Sequence, residues 1–166
     1  MARAHSSRYT ASVMVHGGID GQLELVAIDV GGQRWALPLS AVERAIPMVE
    51  ISPLPQAPTG VRGAINVHGE PVPVLDLDLR SGRAPREHGA RAKLLLARTA
   101  TRRVALPVDE VLGVVEVSRA SVGPAPDSVP APVAGIAALP DGVLLITDVD
   151  AFLSADDERA LAAALP

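Results

Sequence analysis

Arg34-Trp35-Ala36-Leu37-Pro38-Leu39-Ser40-Ala41-Val42 and Arg103-Val104-Ala105-Leu106-Pro107-Val108-Asp109-Glu110-Val111 are two versions of one stretch. Arginine, alanine, leucine, proline and the closing valine recur in the same order, with Pro38 meeting Pro107 at an offset of 69 positions. Farther along, Gly63, Asp76 and Asp78 meet Gly135, Asp148 and Asp150 at an offset of 72, a change that a small insertion in the loop from Ser118 to Pro132 accommodates. Chance supplies an isolated Ala-Leu-Pro match in a chain rich in alanine and leucine, but not several residue types in one order. The chain therefore contains two pseudo-equivalent subdomain halves, about residues 23–80 and 92–152, forming one intertwined unit.

Each half has the signals of short strands. Fifteen prolines and fourteen glycines punctuate runs of Val, Leu and Ile, a composition that favours strands joined by turns over long helices. Leu23 to Val30 and Gln33 to Pro38 flank Gly31-Gly32, a pair that accepts positive φ and so predicts a two-residue hairpin. Ala64 to Val67 and Val72 to Leu75 form a second pair around His68-Gly69-Glu70-Pro71. In the second half, strands are predicted at Lys93 to Arg98, Arg103 to Pro107, Leu112 to Val117, Gly135 to Leu139 and Val143 to Thr147, with Asp141-Gly142 as a turn. Residues 154–166 read as a helix, because Ser154 precedes Asp157 at capping-box spacing and Ala-rich sequence with Leu161 and Leu165 follows. Residues 1–21 read as a flexible tail, and Ser81 to Arg91 as loop. The fold class is all-β: two pseudo-repeated five-stranded β-barrel subdomains packed together, with short helices and a C-terminal helix.

Composition removes several functions. The 166 residues carry 15 Lys and Arg against 19 Asp and Glu, a formal charge of -4, so the basic footprint of a nucleic-acid binder is missing. Tyr9, Trp35 and Phe152 are the whole aromatic complement, too few for base-stacking platforms. Without cysteine there is no disulfide framework, thiolate zinc site or thiol nucleophile. The first twenty residues lack an uninterrupted apolar segment of signal-peptide type, and no run is long enough to span a bilayer, so the expected location is cytoplasmic.

From Leu25 to Arg80 the chain carries in order Trp35-Ala36-Leu37-Pro38, Val42-Glu43-Arg44-Ala45, Leu54-Pro55-Gln56-Ala57-Pro58, Gly63-Ala64-Ile65-Asn66-Val67-His68-Gly69 and Pro73-Val74-Leu75-Asp76-Leu77. In that order these motifs resemble the CheW-like domain family. In the second half Val108-Asp109-Glu110-Val111 and the strand Val143 to Asp148 are similar to family motifs, so the likeness covers about Leu23 to Leu153. The resemblance implies a non-enzymatic adaptor that couples the cytoplasmic tip of methyl-accepting chemoreceptors to the regulatory domain of a CheA-type histidine kinase, at membrane-associated receptor arrays and without a cofactor. With no spare length for a receiver or kinase domain, a stand-alone coupler is expected. The resemblance also implies partner-binding residues: Val42, Val111 and Val114 in or beside a groove between subdomains, and Gly63 and His68 near receptor and kinase contacts. Two positions depart from the family pattern. Arg44 stands where Glu is usual, and His68 where Arg is usual, which exchanges the sign of one charge and removes the guanidinium fork from the other. A diverged scaffold of a specialised chemosensory array, or a non-coupling competitor, is the alternative that these departures raise.

Asp76 and Asp148 offer the one enzymatic reading, because a pseudo-two-fold pair of aspartates can form a hydrolytic dyad. Their contexts, Val-Leu-Asp-Leu and Ile-Thr-Asp-Val, instead favour each Asp as the cap of a short helix, with Asp78 and Asp150 favoured by the helix dipole. His68 or His88 could join these carboxylates around a metal, yet no ligand spacing supports that, and no metal is expected.

Overall fold

Gly31 and Gly32, with φ of 63° and 83°, turn the chain between β1 (Gln22–Val30) and β2 (Gln33–Pro38). Positive φ at both central residues gives the turn twist that matches right-handed strands, as the Gly-Gly pair predicts. The structure, a computed structural model, describes residues 21–84, 86–125 and 133–165. The expected tail over 1–21 lies outside them apart from Gly21.

After β2 come a single 3-10 turn (Leu39–Ala41), β3 (Val42–Pro47), β4 (Val61–Val67), β5 (Glu70–Leu75) and a short helix α1 (Leu77–Arg80). The second half supplies β6 (Lys93–Arg98), β7 (Arg103–Val108), β8 (Glu110–Ser118), β9 (Val122–Gly123), β10 (Val133–Leu139) and β11 (Gly142–Thr147). A 3-10 turn (Val149–Ala151) and helix α2 (Ala155–Ala164) close the described chain. Ser154 Oγ accepts from the Asp157 amide at 3.0 Å and the Asp157 carboxylate accepts from the Ser154 amide at 2.9 Å, so the capping box forms as its spacing predicts.

Two connections are tighter than the sequence suggests. His68 and Gly69, with φ of 51° and 91°, make a two-residue turn, and Glu70 and Pro71 join β5 instead of the loop. Between β10 and β11 the turn is Pro140-Asp141, and Gly142 pairs with Leu139 as the first residue of its strand. β3 was not legible as a strand: its exposure pattern lacks alternation because a bulge falls between Val42 and Arg44.

The strands form two sheets, in the orders β8-β1-β2-β11-β10-β9 and β3-β6-β7-β5-β4. Each half keeps its later strands in one sheet and gives its first hairpin to the other, so β1–β2 joins the second half's sheet and β6–β7 joins the first half's. This is the physical form of the intertwining. The donated hairpins dock through parallel contacts at equivalent places, Ala36 beside Ile146 and Ala105 beside Val74. Each sheet also curls back on itself. The chain leaving β8 at one edge returns as β9 against β10 at the other, and the chain leaving β3 returns at Ser52 to bridge Ala64 of β4.

Strict alternation along the donated hairpins divides the apolar residues among three cores. Leu25, Ala27 and Ala36 fill the first barrel with Leu112, Val115 and Leu144. Leu94, Leu96 and Ala105 fill the second with Ile65, Val72 and Val74. The opposite faces, including Val26, Ile28, Trp35, Leu37, Leu95 and Leu106, meet between the barrels, where Phe152 and Leu161 also pack.

Candidate functional site

The repeat places Val42 and Val111 at equivalent points beside the central core. Both are half-buried and pack against it. In the β1–β8 ladder Val111 lies opposite Ile28, Val114 opposite Val26, and Glu116 opposite Glu24. In the β6–β3 ladder Val42 lies opposite Ala97, Ala45 opposite Leu95, and Pro47 opposite Lys93. Directly opposed residues share a sheet face, so each ladder carries an apolar strip running outward from the central core. Val114, 49% exposed, and the exposed Ala45 lie on these strips. Three of the residues expected from sequence, Val42, Val111 and Val114, thus lie on two pseudo-equivalent strips, one in each sheet.

Arg44 and His68 belong elsewhere. The bulge sets Arg44 opposite Leu96, an interior residue of the second barrel, so Arg44 departs from the face that Val42 and Ala45 share. His68 is exposed in the β4–β5 turn. Their neighbours are linked through one guanidinium: Arg103 binds Glu43 through Nε and Glu70 through Nη1, both at 2.6 Å, and Arg98 adds a contact to Glu43 at 3.6 Å. The Arg103 hydrogen bond, opposed by slight desolvation and helped by Arg98 and Arg44, holds the Glu43 carboxyl below the usual carboxylate range. An acid is therefore kept on β3, one residue before Arg44, and its strong partner is Arg103 instead of the turn residue at 68.

Gly63 is buried, and a Cβ there would overlap the Ser52 carbonyl oxygen and come within 2.9 Å of Ile51. Its equivalent Gly135 would press a Cβ to 2.7 Å from Val122. Each glycine lets the returning chain close its barrel, which gives Gly63 a structural duty beneath the surface.

A second polar cluster, missed in the sequence reading, fastens the connection from Arg83 to His88. Asp78, buried, accepts from Arg86 Nε at 2.8 Å and faces Arg83 at 3.4 Å. Arg86 reaches on to Asp109 at 2.7 Å, and Asp109 accepts from the Gly31 amide of the β1–β2 turn at 2.6 Å. Burial pushes the Asp109 carboxyl up, but Arg86, the Gly31 amide and His88 together outweigh it and hold it below the ordinary range. Arg62 completes the seam with Asp76 at 3.2 Å, His88 Nε2 at 2.9 Å and the Arg86 carbonyl at 3.2 Å. A guanidinium only donates, so Nε2 accepts from Arg62 and the His88 proton sits on Nδ1, facing Asp109 at 3.4 Å. Both ring nitrogens of His88 are engaged by protein groups. The available signal was the repeat itself, which puts Asp109 where the first half has Ser40.

Asp76 and Asp148 cap their turns as expected. Asp76 Oδ1 accepts from the amides of Asp78 at 2.8 Å and Leu79 at 3.2 Å, while Asp148 Oδ1 accepts from Asp150 at 2.9 Å. Among the described residues no three His, Cys, Asp or Glu side chains form a group suited to a metal ion, and no helix is long and apolar enough to cross a membrane.

The described chain is a pair of interlocked barrels with an apolar strip exposed on each sheet beside a shared core. The chain belongs to the CheW-like domain family, whose model matches residues 24–157. It is 33% identical over 108 residues to the chemotaxis protein CheW of Rhizobium meliloti (strain 1021), across 65% of this chain and 70% of that protein. It is 28% identical over 107 residues to the probable chemotaxis protein CheW of Rhizobium etli, across 64% of this chain and 69% of that one. Its fold is similar to the crystal structure of the scaffolding protein TtCheW from Thermoanaerobacter tengcongensis, with a TM-score of 0.72 at 23% identity, covering 81% of this chain and 94% of that chain. The resemblance drawn from the motifs is borne out as family and as fold.

Proposed function

We propose that this chain is a non-enzymatic chemotaxis adaptor that binds the cytoplasmic tip of a chemoreceptor and the regulatory domain of a CheA-type histidine kinase together, in the cytoplasm at membrane-associated arrays. The observation that carries the reading is the strip pair: equivalent valines, Val42 and Val111, stand half-buried at the central core, with Val114 exposed beyond. A helix with an apolar face can cover such a strip and gain from the area removed from water. Coupling then requires unequal affinity for the kinase-on and kinase-off arrangements, since equal affinity shifts no population.

Substituting Val42→Lys or Val111→Lys sets an unpaired charge against an apolar helix. In a titration of folded variants against a receptor-tip fragment, affinity falls at least tenfold, a loss of about 1.4 kcal/mol. Unchanged affinity in both variants would falsify the assignment of this face.

Arg44 and His68 favour a second reading, a scaffold of a specialised array, because a like charge placed against an interface can cost several kcal/mol. Restoring the usual family residues with Arg44→Glu and His68→Arg is expected to improve binding to a typical partner and weaken binding to the native one. Each single variant is measured with the double, since Arg103 ties Glu43, next to Arg44, to Glu70, two residues after His68. Identical affinities for parent and double variant assign specificity to other residues.

A further inference from the structure

A groove of about 580 Å³ opens between the chain that follows β3 and the connection that follows α1. Its apolar wall is Met48 and Ile51, half-buried against the core of the second barrel, with Pro53 and Val49, which is 45% exposed. Arg62, His88 and Glu87 supply the polar side. Both ring nitrogens of His88 are engaged within the protein, so the imidazole offers a ligand no free donor or acceptor.

Arg62 is different. A guanidinium has five N–H donors, and here Nη1 donates to Asp76 and His88 while Nη2 donates to the Arg86 carbonyl. Nε and one Nη2 hydrogen therefore have no acceptor among the described residues, although the side chain is 25% exposed and Nε is not sealed from solvent. The three acceptors hold the guanidinium in place before any ligand arrives, which lowers the cost of ordering it. We propose that this groove binds a free aliphatic monocarboxylate, with the carboxylate on the Nε–Nη2 edge of Arg62 and the chain along Met48, Val49, Ile51 and Pro53. Charge sets the class of ligand. Asp76 already faces Arg62, and the exposed Glu87 lines the same groove, so the site offers donors without surplus positive charge and disfavours a dianion such as phosphate. The volume falls within the roughly 300–1,000 Å³ of small-molecule sites. The proposal does not rest on the reading of the strips.

Methyl NMR of the full chain tests this, with sodium hexanoate as the probe. Of the three methionines, Met48 alone is among the described residues, and it lines the groove. Methionine-methyl labelling therefore gives one diagnostic signal, assigned with Met48→Leu. Hexanoate is expected to move it saturably, with a Kd on the order of 1 mM for so small a ligand on an open groove. Hexanamide, the same chain without the charge, is expected to bind at least about tenfold more weakly, and inorganic phosphate at equal ionic strength to leave the signal unmoved. Arg62→Lys keeps the charge and loses the fork, and is expected to weaken hexanoate about fivefold. Val49→Asp sets an acid on the exposed apolar wall, is expected to weaken hexanoate as much, and serves if Arg62→Lys does not fold. The proposal is overturned by the absence of a saturable shift up to about 20 mM hexanoate, by equal binding of hexanamide, or by a phosphate shift matching that of hexanoate. Unchanged affinity in folded Val49→Asp overturns it as well. A peptide ending in Val-Leu with a free carboxylate that binds more than about tenfold tighter than hexanoate assigns the groove to a chain terminus and overturns the free-ligand claim.

Discussion

Asp76 and Asp148 hold equivalent places in the sequence and unequal places in the molecule. Both cap a turn, but Asp76 is buried and its second oxygen faces Arg62, while Asp148 is exposed. A dyad would bring the two carboxylates to one site, whereas each is engaged at its own turn. The difference in burial sets different costs. Asp148→Ala is expected to lose about 1 kcal/mol, the usual value of an exposed cap, and Asp148→Asn nearly nothing. Asp76→Ala is expected to lose roughly 2–3 kcal/mol, because buried amides and a guanidinium lose their acceptor together. Urea unfolding of the four single variants, the two alanines and two asparagines, checks the order. Equal losses at both positions would show that Arg62 adds nothing to the cap. The cap role was legible because it depends on local spacing; the inequality was not, because Arg62 lies fourteen positions before Asp76.

Among the elements, those fixed by local chemistry were readable. Gly31-Gly32 determines a hairpin and Ser154 with Asp157 a helix start, and both form. β3 and β9 lacked such signals: one is a bulged, mostly exposed edge, the other two residues long. Their importance lies in closure, where the chain following β3 returns against β4 through Ser52, and the chain following β8 returns through β9. Gly63→Ala therefore tests an element more than a residue. Its new Cβ meets backbone, which cannot swing aside as a side chain does, so a loss of about 1–3 kcal/mol is expected. Gly123→Ala is the control, since a Cβ there comes no nearer than 3.9 Å to its neighbours. Thermal unfolding that shifts equally for both variants would remove closure as the reason for Gly63.

At the scale of the whole molecule, the seam through Asp78, Arg86 and Asp109 holds the connection after α1 to the turn of the donated β1–β2 hairpin. Asp109 has its folded-state carboxyl below the ordinary range, so its contribution to stability is complete above about pH 4 and is lost as the pH falls through the lowered folded value. Asp109→Asn keeps an acceptor for Gly31 but removes the charge facing Arg86. It is expected to unfold at lower temperature than the parent at pH 7, by about 1–2 kcal/mol. The two melting curves are expected to approach one another as the pH falls from about 4 and to converge through the lowered folded value, where the parent carboxylate also becomes neutral. A difference that stays constant from pH 7 into that range would mean that charge at Asp109 is irrelevant to the seam.

The sequence by itself determined the repeat, the all-β class, the first hairpin, the aspartate caps and the C-terminal capping box, because each is set by composition or by residues within a few positions of one another. Ordered motifs also carried the family. Tertiary structure alone decided which strands share a barrel, since two equivalent hairpins have nearly the same local pattern whether each stays with its own half or crosses to the other. It also decided that Val42, Val111 and Val114 lie on pseudo-equivalent strips, while Arg44 departs from that face and His68 sits in a turn. Edge pairing, a bulge in each of the two ladders and the closure of two curved sheets set those placements, and all three depend on contacts between residues far apart in the chain.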